Sequence, residues 1–225
     1  MAISVVDTVS SRSSAGGVTS IAQATGGITA GNLVVVLTYA GAASSITLSA
    51  PTDDIGTTYN VLNNPTWSAT CHSLCMIAWA QPTGTPATIT GHVSATSDMA
   101  IVVYEISGCS SSPYDVSNNT ETASTAAPPT GAITTTQASE ILITGVTQDG
   151  ATSVATAPSG FTIGPKNDDA TLEVYASAHQ IVSTIQTAFN PTWAYGSARN
   201  CDAAIAAFKE GSAGGSPVRP IAMWP

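Results

Sequence analysis

Two stretches of this chain repeat one another 104 residues apart, and no other feature limits the fold as strongly. Asp98-Met99-Ala100-Ile101-Val102-Val103-Tyr104-Glu105 lines up with Asp202-Ala203-Ala204-Ile205-Ala206-Ala207-Phe208-Lys209. Upstream, Gly31-Asn32-Leu33-Val34-Val35-Val36-Leu37 answers Ala138-Ser139-Glu140-Ile141-Leu142-Ile143-Thr144, and Met76-Ile77-Ala78-Trp79-Ala80 answers Val174-Tyr175-Ala176-Ser177-Ala178, at comparable offsets. The runs are short, apolar and bounded by turn residues, which reads as strands. Two copies at a period of about 100 residues indicate a duplication, since a solenoid needs more and shorter units.

Composition turns this pattern into a fold class. Only 8% of the 225 residues are charged, and 27 Ser and 32 Thr occupy the polar positions instead. Ser and Thr are mediocre helix formers, while Thr and Val suit a pleated sheet. The 19 Gly and 13 Pro recur between the apolar runs. The expected fold is all-β: a jelly-roll-like antiparallel β-sandwich of two duplicated halves, about residues 28–108 and 138–210, in a single domain over 1–210. Residues 1–27 are expected to form an N-terminal arm, and 108–138 a connection between the halves.

Leu33–Leu37 and Met99–Tyr104 do not alternate apolar with polar, as a strand with one wet face should. Either loops or the N-terminal arm cover their second face, or that face meets another subunit. The composition, poor in the charge that keeps monomers apart, favours a chain packed against neighbours. The C-terminus points the same way. Residues 211–216 form a Gly/Ser spacer, followed by Pro217, Val218, Arg219, Pro220, Ile221, Ala222, Met223, Trp224 and Pro225. Pro217, Val218, Pro220, Ile221, Met223 and Trp224 are expected to make a tethered docking peptide, the alternative being that they fold back on their own domain.

Charge also excludes partners. With 5 Lys and Arg against 14 Asp and Glu, the net charge is −9, so no basic footprint exists for nucleic acid or for an anionic membrane surface. No apolar run approaches the length of a spanning helix. Residues 1–20 lack a charged segment followed by an apolar one, so no secretory signal is expected.

Chemistry is sparse. His72, His92 and His179 stand in no recognisable catalytic motif. Asp53-Asp54 and Asn167-Asp168-Asp169 occupy comparable turns, where carboxylates can hold calcium, but the alternating calcium-loop pattern is missing. Cys71, Cys75, Cys109 and Cys201 read as buried thiols, although pairing is open. Cys71 and Cys75 lie about 13 Å apart on one strand, too far to bridge. No metal, cofactor or catalytic residue is expected. Asn118-Asn119-Thr120 fits a glycosylation sequon. Asn-Pro-Thr-Trp occurs twice, ending at Trp67 and at Trp193. An exposed Trp in such a loop can stack on a sugar ring, and a buried one caps the core.

Gly31–Val36, Ala100–Gly108 and Ala203–Lys209 together resemble a loosely defined group of β-sandwich domains in phage virion structural proteins and bacterial surface or secreted proteins, over roughly residues 28–210. The resemblance implies the fold and brings no catalytic residues. The expected role is a structural virion protein, a phage capsid decoration or cement protein or a head-fibre subunit, assembling with copies of itself and a capsid protein on the virion surface. Two alternatives stand beside it: a carbohydrate-binding or adhesive module using Trp67 or Trp193, and a subunit of an extracellular filament in which a terminal arm pairs with a neighbour's sheet edge.

Overall fold

A computed structural model describes residues 2–13, 17–42, 44–63, 65–67, 72–149, 154–168 and 174–211. They form twelve strands: β1 (Ser4–Arg12), β2 (Val18–Ala24), β3 (Leu33–Gly41), β4 (Leu48–Asp53), β5 (Asn60–Val61), β6 (Ser73–Ala80), β7 (Thr88–Ser107), β8 (Cys109–Thr125), β9 (Ser139–Gln148), β10 (Thr162–Asn167), β11 (Val174–Ser183) and β12 (Arg199–Glu210). No helix of the described residues is long and apolar enough to cross a membrane.

The β-sandwich expected from the sequence is the fold found, with the halves stacked rather than interleaved. One sheet runs β1-β7-β3-β6-β5 and the other β10-β11-β9-β12-β8, all pairings antiparallel. The chain passes from the first half to the second between β7 and β8, at Gly108. Its φ of +77° is readily reached only by glycine, and a Cβ there would run into the Ala2 carbonyl.

Between the sheets, Leu33, Val35, Leu37, Tyr39, Val102 and Tyr104 meet Ile141, Ile143, Tyr175, Ala206 and Phe208 in one dry core. The sheets approach closely at Gly145. A Cβ on that residue would lie 2.5 Å from Leu37 Cδ2, 2.7 Å from Tyr39 Oη and 2.8 Å from Cys75 Sγ.

The second apolar face of the central strands is covered within the chain. β7 is 20 residues long and belongs to two layers. Its Ala100–Ile106 part pairs with β1 and β3, whereas Thr88–Val93 turns over the sheet and pairs with β2 and β4. That outer layer lays Ile21, Leu48, Ile89 and Val93 on Val34, Val36, Met76 and Ile101. On the far side, connecting segments bring Ile133, Ala155, Trp193 and Tyr195 onto Leu142, Val146, Ala176 and Ile205. Of the two alternatives for the second face of Leu33–Leu37 and Met99–Tyr104, cover from within the chain is the one found: Val34, Val36, Met99 and Ile101 are all buried in the single chain.

Two further expectations change. Within the expected N-terminal arm, Ser4–Arg12 and Val18–Ala24 are strands, β1 at the edge of the first sheet and β2 in the outer layer. The connection 108–138 is largely a strand, since β8 pairs along β12.

The matched runs do take equivalent places. β3 and β9 are central, β7 and β12 flank them on one side, β6 and β11 on the other. Leu37, opposite Val102 and Ile77, stands where Ile143 stands opposite Ala206 and His179. The sequence alignment set Leu37 against Thr144 instead. A one-residue slip of that kind exchanges the two faces of a strand. The equivalence is one of topology, and duplication is one origin of it.

Candidate functional site

The docking-tail residues Pro217, Val218, Pro220, Ile221, Met223 and Trp224 lie outside the described residues, as does Cys71. What is defined is the point from which the tail departs. β12 is paired on both sides, with β8 and β9, down to Lys209 and Glu210. Gly211 N–H donates to Gly108 O at 2.8 Å, Ile3 N–H to Glu210 Oε1 at 3.2 Å, and Gln137 Nε2 to Glu210 O at 3.3 Å. Gly211, the last described residue, thus lies at the end of the sandwich where the halves join.

The two Asn-Pro-Thr-Trp copies end in different surroundings. Trp193 is fully buried among Val146, Ala176 and Tyr195, and its Nε1 donates to Thr144 Oγ1 at 3.1 Å. It has no face to offer a sugar, so that reading is corrected for Trp193. Trp67 is half-buried, donates to Ala42 O at 3.0 Å and stacks on the His72 ring at 5.3 Å. His72 N–H donates to Asp149 Oδ1 at 3.1 Å, and Asn200 Nδ2 to Asp149 Oδ2 at 3.3 Å. An aromatic ring, an imidazole, a carboxylate and an amide therefore gather at one end of the sandwich.

The loop acids hold backbone. Asp53 accepts from the N–H of Ile55 and Thr57 and from the Tyr59 hydroxyl, Asp54 from the N–H of Ala87 and Thr88, and Asp168 from Ala155 N–H and Lys166 Nζ. Among the described residues no group of three His, Cys, Asp or Glu is placed to hold a metal. His92 bonds Thr52 Oγ1 at 2.8 Å, and His179 stands edge-on to Tyr104. Cys75 and Cys201 are buried, Cys109 half-buried. Burial, with Glu210 and Asp149 respectively nearby, pushes the Cys109 and Cys201 thiols up to about 12. Asn118 of the sequon holds a loop, its Nδ2 donating to Ala132 O at 2.9 Å.

The polar residues of most consequence are ones that motif reading passes over. In a chain so poor in charge, Glu105, Glu140, Asp202 and Lys209 all fall inside strands, and that is the signal that could have found them. Glu105 fixes the loop that leads into β3 through Thr29 N–H at 2.9 Å and Asn32 Nδ2 at 2.6 Å. Asp202 reaches across from the second sheet to accept Cys75 N–H at 2.7 Å. Asn63 bonds both Cys75 O and Ile77 N–H at 2.7 Å. Together these two side chains occupy the open edge of β6, which would otherwise invite another strand.

Glu140, Asp115 and Lys209 meet on the outer side of the second sheet, on the adjacent strands β9, β8 and β12. Lys209 lies directly opposite Glu140, and its Nζ is 3.5 Å from Asp115 Oδ1. Thr136 clamps the Asp115 carboxylate, its N–H donating to Oδ2 at 2.7 Å and its hydroxyl to Oδ1 at 2.5 Å. Glu140 is fully buried. Its Oε1 accepts Gln137 N–H at 3.3 Å, while Oε2 has no donor. Burial and the adjoining Asp115 push the Glu140 carboxyl up to about 8, so it keeps a proton at neutral pH and shares it with Asp115.

Fold and site together define a two-sheet antiparallel β-sandwich with both outer faces covered, fastened by buried polar groups. No family model and no curated protein matches the chain. A solved chain titled "Red Clover Necrotic Mosaic Virus" is similar over 96% of this chain and 98% of its own, at 11% identity and a TM-score of 0.26, too low to carry any argument.

Proposed function

We propose that this chain is a structural protein of a virion surface, a phage capsid decoration or cement protein or a head-fibre subunit, which works by assembly with copies of itself and a capsid protein rather than by catalysis. The observation that carries the reading is the way the tail is anchored. An apolar peptide ending Ile-Ala-Met-Trp-Pro hangs by a Gly/Ser spacer from a strand hydrogen-bonded on both sides. A pull on that peptide loads the β12 ladders in shear, many bonds at once, which suits a permanent tether. Because both broad sheet faces are covered among the described residues, the apolar sequence of the tail is the element assigned to the partner.

Light scattering and negative-stain microscopy of the full chain, and of a chain ending at Gly211, test this. The full chain is expected to form discrete oligomers. The shortened one should be a monomer with an unchanged melting temperature. Equal masses for the two would refute the tail's role.

The group around Trp67 supports a second reading, a glycan-binding module, in which one ring face stacks on a sugar while Asp149 and Asn200 bond its hydroxyls. It requires glycan-array binding that Trp67→Ala abolishes. For a filament in which a terminal arm pairs with a neighbour's sheet edge, the N-terminal end is the poorer choice of arm, because β1 would first have to leave its own sheet.

A further inference from the structure

We propose that Lys209 and Asp115 become joined by an intramolecular amide bond, with Glu140 as the proton carrier. This goes beyond the assembly reading and does not depend on it.

Three observations carry it. Neighbouring strands hold Lys209 Nζ 3.5 Å from Asp115 Oδ1, beside the carboxyl it would attack, with the Asp115 side chain almost wholly buried. Asp115 is oriented by two donors from Thr136, and its Oδ2 points at a backbone N–H, which stabilises charge on that oxygen as a tetrahedral centre forms. The third group supplies a mobile proton. Glu140, directly opposite Lys209, is fully buried, and its carboxyl keeps a proton that it shares with Asp115. A protonated carboxyl in that position can carry protons between the amine and the carboxyl.

The step balances without any other reactant. A proton passes from the Lys209 ammonium to the Asp115 carboxylate, leaving a neutral amine beside two neutral carboxyls. The Nζ lone pair attacks Asp115 Cγ, and Glu140 protonates the carbonyl oxygen as its charge grows. The Glu140 carboxylate then takes the proton from Nζ and passes it to one Cγ hydroxyl, which departs as water, and it recovers a proton from the other Cγ hydroxyl as that becomes the amide carbonyl. One C–N bond has formed and one C–O bond has broken. Glu140 ends as it began. The exposed third of Lys209 gives the water an exit, and the dry surroundings oppose hydrolysis.

The bond would join β8, the edge strand of its sheet, to β12 just before Gly211. The strand that carries the tail could then no longer peel away.

Intact mass spectrometry of the full, denatured and reduced chain tests the proposal. The expected mass is one water below that of the sequence. Trypsin should fail to cut after Lys209 and release a branched species joining residues 13–166 to residues 200–225. Lys209→Arg, which keeps the charge, and Glu140→Gln should each restore the full mass, with circular dichroism confirming the fold. A wild-type chain at full mass would overturn the proposal. So would a water loss that persists in Lys209→Arg, since a succinimide at some aspartate would then account for it. The wild-type mass decides even if a variant fails to fold, and oligomer formation does not enter the readout.

Discussion

Asp202 shows how one residue sets the response of the molecule to pH. It lies opposite Glu121 on β8 and beneath Cys75 of the other sheet. Burial, with Glu121 alongside, pushes its carboxyl up to about 8, and the Cys75 N–H only partly opposes this. An unfolded aspartate titrates near ~3.9, so the folded state keeps a proton that the unfolded chain has released. The stability this contributes is complete below about pH 4 and is lost as pH rises through about 8. Asp53 works in the opposite sense. Burial pulls its carboxyl up, but bonds from Thr57, Ile55 and Tyr59 outweigh that and lower it, so its contribution disappears in acid. The melting temperature should therefore peak in mildly acidic solution and fall toward pH 9. Asp202→Asn should flatten the alkaline side, because an amide oxygen can still accept Cys75 N–H without a charge. A wild-type melting temperature that climbs between pH 5 and 8.5 would contradict this. Gly145 offers a second residue-scale test. Gly145→Ala drives a methyl into Leu37, Tyr39 and Cys75 and is expected to cost about 1–3 kcal/mol in urea unfolding, as overpacking does.

Elements are where sequence and structure agree most and where their disagreement is most instructive. The central strands were legible because Leu33–Leu37, Ala100–Tyr104 and Ala203–Phe208 are unbroken apolar runs, and β3, β7 and β12 fall on them. β1, β2 and β8 were not legible as strands. Their Ser, Thr and Asn content reads as arm or linker, and pairing with β7 or β12 decides their conformation instead. The site followed the same division. The Trp67 and Trp193 motifs stood out as a pair, yet their burial depends on loops that no local pattern describes. The triad of Glu140, Asp115 and Lys209 joins residues of three strands, and the β8–β12 register alone brings Asp115 to Lys209. The edge of β6 gives an element-scale prediction. Asn63→Ala leaves Cys75 O and Ile77 N–H without their side-chain partner, at a cost of about 1–3 kcal/mol. It also opens that edge to strand addition. Hydrogen exchange at the Ile77 amide should quicken and soluble yield should drop, while unchanged exchange there would show that Asn63 does not protect the edge.

On the scale of the whole molecule, the low charge that suggested a surface built for neighbours finds a different explanation. Each half makes one sheet, and each sheet carries apolar side chains on both faces. Outer faces are covered by the half itself: β2, β4 and the start of β7 in the first, connecting segments in the second. The inner faces have only each other. Leu33, Val35, Leu37 and Tyr104 on one side and Ile141, Ile143 and Phe208 on the other are fully buried solely because the halves are stacked. Full burial of such a side chain is worth about 1.5–3 kcal/mol, so separating the halves forfeits about as much as the whole stability of a typical domain. Polar ties reinforce the same dependence, with Tyr39 Oη donating to Ala176 O at 3.0 Å, Tyr104 Oη to Ser177 Oγ at 2.9 Å and Cys75 N–H to Asp202 across the gap. Expressed alone, residues 1–107 and residues 109–211 should each be insoluble or lack cooperative unfolding, whereas the two together should give a single transition when followed by circular dichroism and by Trp fluorescence. A half that melts cooperatively by itself would mean that its inner face needs no partner and that the chain is two domains. The stacking accounts for why a second sheet is required: whatever their origin, two sheets with apolar inner faces are stable only as a pair, and the strand order that β3, β6 and β7 share with β9, β11 and β12 lets those faces meet strand over strand.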